Sequence, residues 1–179
     1  MIIALCGKKG SGKTLAANFI QQQDKTFKHL AFADTIKDIV IMMYPTWDRS
    51  RLDSENILDR IWKESIDGRY NTSPRKAMQD IGKMFKKNDK TVWCRLLKSK
   101  ITDMNENIVI SDVRFPDEVE YIHNEFPDAK IIKLTRGRNS GDDNDISETS
   151  VDLIYNCDMQ YNNNQSKEDL YQFILKHIL

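Results

Sequence analysis

At 179 residues and 20.9 kDa the chain has the length of one compact domain with room for a small insertion, not that of a two-domain enzyme. Its 27 Lys+Arg balance 27 Asp+Glu, and 40% hydrophobic residues suffice for a packed core, which excludes intrinsic disorder. Zero net charge also removes the usual argument for a duplex-nucleic-acid binder, which needs a clear excess of cationic surface, so any polyanion is expected to be small and met by local charge. Cys6, Cys94 and Cys157 are odd in number, widely spaced and outside any zinc-type pattern, which fits a reducing cytosol. The apolar run Ile2 to Cys6 stops at Gly7 with no basic region before it, too short for a signal peptide, and no stretch approaches the roughly 20 residues of a membrane span. The expectation is a cytosolic protein with no membrane anchor.

In chain order, Ile2 to Cys6 reads as a buried strand, followed by a glycine-rich turn and a helix through Leu15, Phe19 and Ile20. A second strand is expected over His29 to Ala33, ending at Asp34, then a helix through Ile36, Ile39, Val40 and Met43 that Pro45 breaks. From Trp47 to about Thr102 the periods are helical only, at Ile57-Ile61, at Met78-Ile81-Phe85 after Pro74, and from Val92. The strand pattern resumes at Ile108 to Asp112, with a helix entered at Pro116, and again at Ala129 to Leu134. A polar loop follows from Arg136, then a short strand from Asp158 to Tyr161 and a helix from Ser166 to Ile178. Alternating strands and helices predict an α/β three-layer sandwich: a parallel sheet of about five strands with helices on both faces. Residues 45–103 form a helical insertion within this single domain, and 136–146 a short lid loop.

Gly7-Lys8-Lys9-Gly10-Ser11-Gly12-Lys13-Thr14 satisfies G-x-x-x-x-G-K-[ST] and sits between a strand and a helix, as a phosphate-binding loop must. Glycines let backbone amides turn inward around a phosphate, and the helix N-terminus adds partial positive charge at the same point. Gly7, Lys9, Gly10, Ser11, Gly12, Lys13 and Thr14 are therefore the expected nucleotide cradle, with Lys13 on the β- and γ-phosphates and the Thr14 hydroxyl on magnesium. Asp112, ending an apolar strand, is the expected partner of Thr14 at the metal; a helix cap for the Pro116 helix is the other reading. Arg114 either faces phosphate or pairs with Asp117 or Glu118. Arg75 and Gln79 lie one turn apart on a helix started by Pro74, and Gly82 leaves room for a flat group, so a phosphate and a base edge could both be addressed there; a solvated helix face is the alternative. Arg136 and Arg138 could close over the transferring phosphates. Asp34 is either a helix cap or a group that orients substrate or a metal-bound water. Ser166 to Asp169 mimics a guanine-reading motif but reads better as a capping box, and Phe115 stands where a GTPase needs glycine. His29, His123 and His177 share no catalytic spacing.

Taken together, several segments resemble the phage-type deoxynucleoside monophosphate kinases, a family of P-loop nucleotide kinases. The resemblance rests on Gly7 to Thr14, Phe32-Ala33-Asp34 with Lys37, and Ser73-Pro74-Arg75 with Gln79 and Gly82. It continues through Trp93, Ser111 to Glu118, Arg136, Ser147-Glu148 and the closing strand from Asp158 to Asn163. It implies ATP and Mg2+ on the P-loop side and a deoxynucleoside monophosphate against the helical insertion. Asp34, Lys37, Arg75, Gln79, Gly82, Trp93, Arg114 and Glu148 would belong to the substrate side, and Lys13, Arg114, Arg136 and Arg138 to catalysis. The resemblance leaves a homodimer open and implies a cytoplasmic enzyme, in the host cytoplasm if the source is viral. One departure is Asp145, where the family often has histidine. Two competing readings remain at this stage: a kinase of the phosphomevalonate type, which needs no base-reading Gln79, and a non-enzymatic ATP-driven switch, which needs no acceptor-side arginines.

Overall fold

The computed structural model describes residues 1–137 and 145–179. Along the chain lie β1 (Ile2–Cys6), α1 (Lys13–Gln23), β2 (Phe27–Leu30), α2 (Phe32–Met43), α3 (Arg49–Asp53), α4 (Ile57–Glu64), α5 (Pro74–Asn88) and α6 (Val92–Lys98). They are followed by β3 (Asn107–Val113), α7 (Pro116–Glu125), β4 (Lys130–Thr135), α8 (Ile146–Thr149) running into a 3₁₀ turn at Ser150–Leu153, β5 (Met159–Asn162) and α9 (Lys167–His177). The chain forms two compact units: a sheet unit of Met1–Ala31 with Leu97–Leu179, and a helical unit of Phe32–Leu96. The helical unit takes in α2 and so begins ahead of the insertion that the sequence predicts over 45–103.

In the sheet unit the strand order is β2-β3-β1-β4-β5, with every pairing parallel. A parallel sheet is covered on both faces, and its central strand accordingly has no polar residue: all five positions of β1 are buried. Ile3 and Leu5 share one face with Val109, Ile132 and Leu134, and α1 and α9 cover that face through Ala16, Ala17, Ile20, Leu170 and Ile174. Each fully buried aliphatic side chain stabilises the fold by about 1.5–3 kcal/mol relative to exposure. Val119 and Ile122 of α7 are buried outside that cluster. α9 starts at Ser166, whose hydroxyl accepts the Asp169 amide at 3.2 Å while the Asp169 carboxylate takes the Ser166 amide at 3.1 Å, a reciprocal capping box.

The second strand departs from expectation. Instead of His29 to Ala33 it runs Phe27–Leu30, pairing Leu30 with Ile110, and Phe32 already opens α2. Buried Phe27 and Leu30 anchor the strand, and buried Phe32 serves the helix, so the apolar run is shared between two elements. Asp34 therefore lies in the first turn of α2, where a carboxylate suits the helix dipole.

In the helical unit, Gly82 of α5 faces Ile36 of α2, where an added Cβ would stand 3.5 Å from Ile36 Cδ1. Trp47 is buried against Tyr44 and Tyr70 and donates its indole N–H to Asp67 at 2.8 Å. α4 is turned inside out: Ile57, Leu58 and Ile61 are 67%, 72% and 57% exposed, whereas Asp59 and Lys63 are buried. Its polar residues pack inward because Asp59 accepts from Arg51 at 2.6 Å and Lys63 Nζ donates to the carbonyls of Leu52 and Ser54 at the end of α3, beside Trp62, which meets Trp47 edge-on.

Candidate active site

The site begins where β1 runs out. Gly7 and Gly12 have φ of +150° and +103°, values closed to side-chain-bearing residues in this setting. A Cβ on Gly7 would collide with the Leu134 carbonyl, and one on Gly12 with the Asn163 amide nitrogen. Gly12 is the N-cap of α1, and among the described residues no side chain caps that end, so the first amides of an eleven-residue helix open onto the loop. Lys13 is buried and folds back, its Nζ donating to Gly7 O at 2.6 Å and Lys8 O at 2.8 Å. Burial, aided by the Arg114 charge, pushes its ammonium pKa down to about 8, while Glu148, Asp112 and Cys6 act in the opposite direction. The Ser11 hydroxyl is buried and has no hydrogen-bond partner among the described residues.

Asp112 owes its position to an irregularity in the sheet. Ala4 pairs with Ile110 and Cys6 with Val113, so Ser111 and Asp112 of β3 stand opposite the single residue Leu5, a bulge of the kind that redirects a side chain beside an active site. Ser111 is buried and bonds His29 Nε2 at 2.6 Å. Arg114 follows and is held at both ends. Its backbone N–H and that of Phe115 donate to Glu118 Oε2 at 2.8 Å and 3.1 Å, and its guanidinium pairs with Glu148. Glu118 is thus a buried cap for the start of α7, not a surface partner of the arginine.

Glu148 sits against the phosphate loop. Only 5% exposed, it accepts the Lys9 amide at 2.7 Å with one oxygen and binds Arg114 with the other. Burial alone would raise its pKa, but Arg114, the Lys9 N–H and Lys13 hold it below the usual carboxylate value. Asp152 in the 3₁₀ turn pairs with Lys8 at 2.7 Å, so two acids from α8 and that turn grip successive loop residues. Lys13, Asp112, Arg114 and Glu148 are thereby gathered around one loop.

The remaining candidates are placed as follows. Arg136 is exposed just past β4, and Arg138 lies outside the described residues, as do positions 139–144 of the expected lid loop. In the helical unit, Lys37 reaches Asp53 at 2.9 Å and Asp34 at 3.6 Å, and Arg49 joins the same network through Asp38 at 3.0 Å and Asp34 at 3.7 Å. Arg49 carried no motif in the sequence. Arg75 is a quarter exposed and donates from Nε to Glu64 at 2.5 Å, and Gln79, one turn on, is half-buried. Trp93 is buried, edge-on to Phe85, with its N–H given to the Gly82 carbonyl at 3.2 Å.

A parallel sheet with a glycine loop, a buried loop lysine and a strand-end aspartate defines a P-loop nucleotide-binding protein. The family described as deoxynucleotide monophosphate kinase matches residues 48–174, and the chain belongs to that family. A protein of Acanthamoeba polyphaga mimivirus bearing the provisional name deoxynucleotide monophosphate kinase is 28% identical over 192 residues, covering 98% of this chain and 94% of its own. Among solved structures, TT1252 from Thermus thermophilus is similar with TM-score 0.51 and 15% identity over 100% of this chain and 98% of that one. An APS kinase of Mycobacterium tuberculosis has TM-score 0.46 and 9% identity over 98% and 94%. The protein is a nucleoside monophosphate kinase. Among the described residues, no helix is long and apolar enough to cross a membrane.

Proposed function

We propose that the protein transfers the γ-phosphoryl group of ATP, with Mg2+, to a deoxynucleoside monophosphate and releases the two diphosphates, in a reducing cytosol. The observation that carries this reading is the grouping of Lys13, Arg114 and Asp112 around a glycine loop whose helix end has no side-chain cap among the described residues. The cradle suits a polyphosphate: Lys13 rests on loop carbonyls it can leave, and the orphaned Ser11 hydroxyl offers a further donor. Thr14 and Asp112 would hold the metal, a hydroxyl and a carboxylate being enough for an ion that keeps several waters and takes other oxygens from phosphate. When bound, magnesium neutralises charge on the β- and γ-phosphates.

The chain's own groups then do the remaining work. Lys13 and the loop amides align the γ-phosphate, and Arg114 spreads the donors that Glu148 does not use over the oxygens that gain charge. Arg75 is assigned to the acceptor phosphate and Gln79 to the base edge, with Arg136 on the transferring group; Asp34 and Lys37 are assigned to the substrate side through the Arg49 network. Phosphoryl transfer through a loose transition state needs alignment and charge neutralisation, and the acceptor is already an anion, so no strong general base is called for.

ATP consumption measured across ribo- and deoxynucleoside monophosphates, with phosphomevalonate as control, tests the proposal. Deoxynucleotides should be turned over fastest, and Lys13→Ala should lower kcat by about 10²–10³-fold. Turnover of phosphomevalonate alone, or a Lys13→Ala enzyme within a few-fold of wild type, would overturn it.

A further inference from the structure

The phosphate loop has a brace that lies far from it in sequence. Asn163, directly after β5, is 4% exposed, and its side-chain amide donates to the Ser11 carbonyl at 2.9 Å in a buried hydrogen bond. Its own backbone N–H donates to Thr135 O at 2.7 Å, which fixes it to the end of β4. The next residue, Asn164, accepts the Gly137 N–H at 2.6 Å and so secures the same turn from its other side. Gly12 packs so closely on the Asn163 amide nitrogen that a Cβ there would overlap it.

We propose that Asn163 is a positioning residue for nucleotide binding, which fixes the orientation of the Ser11–Gly12 peptide in the phosphate loop. A trans peptide is planar, with its C=O and N–H pointing in opposite directions. Holding the Ser11 carbonyl on Asn163 therefore turns the Gly12 N–H away from Asn163. Glycine permits rotation on both sides of φ = 0, so the same peptide could flip at little steric cost once the amide is removed. A flip would exchange an N–H for a carbonyl oxygen, an acceptor that repels phosphate. Asn163 thus acts on the donor nucleotide only through the loop. This inference rests on the proposed nucleotide site, and its test separates the two.

The test is calorimetric titration of wild type, Asn163→Asp and Asn163→Ala with ADP, beside thermal unfolding and steady-state kinetics. Asn163→Asp keeps the shape but removes the donor and sets an acceptor against the Ser11 carbonyl; Asn163→Ala removes the group without adding charge and is the reading to use should the aspartate variant not fold. The expected result is an ADP Kd at least ten-fold weaker in folded variant protein, with KM for ATP raised more than KM for the monophosphate. A merely structural asparagine would lower the unfolding temperature and leave Kd and the KM ratio unchanged, and that outcome would overturn the inference. Failure of wild type itself to bind ADP would instead remove the nucleotide site.

Discussion

Glu148 places a negative charge on a loop built to receive negative phosphates, and it is stable there because the Lys9 amide and the Arg114 guanidinium take its two oxygens. The same contacts make it sensitive to acid. Its folded pKa is depressed, so the stability it contributes is full above its unfolded value, about 4.3, and is lost as pH falls through the lower folded value. Denaturant unfolding from neutral to acidic pH should therefore show a steeper acid limb for wild type than for Glu148→Gln, and identical limbs would remove the ion pair from the folded state's energetics. Little of this was legible beforehand. Lys13 and Thr14 announce themselves because their neighbours in space are their neighbours in sequence, whereas Glu148 reaches Lys9, and Asn163 reaches Ser11, across more than a hundred residues. The resemblance pointed to Glu148 but set it on the substrate side, and its contact with the phosphate loop came only from the folded chain.

At the scale of elements, legibility followed burial. β1 and the Ile108 to Ile110 run of β3 are apolar on both faces because they are central in a parallel sheet, and such runs are visible without a partner. β2 is an edge strand of four residues, and the apolar residues after it belong to α2, so one run concealed a strand end and a helix start. α4 misleads in a different way: its period is correct and its face inverted, since a hydrogen bond accepted by Asp59 and those donated by Lys63, not aliphatic contacts, fasten it to α3. Substituting Leu58 by Glu should therefore change unfolding free energy by no more than about 0.5 kcal/mol. Asp59→Ala should be clearly destabilising, because the Arg51 guanidinium and the Asn56 side-chain N–H both lose the carboxylate they donate to, while the Asn56 cap on the residue-59 backbone N–H remains. A pair of denaturation curves decides this, and the reverse ranking would mean that Leu58 is covered in solution.

For the whole molecule, the strand order sets a timetable. The sheet neighbours of β1 are β3 and β4, and the entire helical unit stands between β2 and β3 in the chain. Closing parallel pairs over such a separation is slow compared with local helix formation, so β1 must wait while Phe32–Leu96 can collapse on its own contacts. The cysteines mark the two events. Cys94 is buried in α6 within the helical unit, and Cys6 is buried in β1, where burial first, and nearby Cys157, push its thiol up to about 12. During refolding from denaturant, pulses of a thiol reagent should find Cys94 protected before Cys6, with half-exposed Cys157 slow to gain protection. Simultaneous protection would mean that the sheet and the helical unit form in one step. In a cell the same timetable leaves an apolar strand uncovered until its partners are synthesised, which makes the interval before β3 emerges the time when this chain is most exposed to aggregation or chaperone capture.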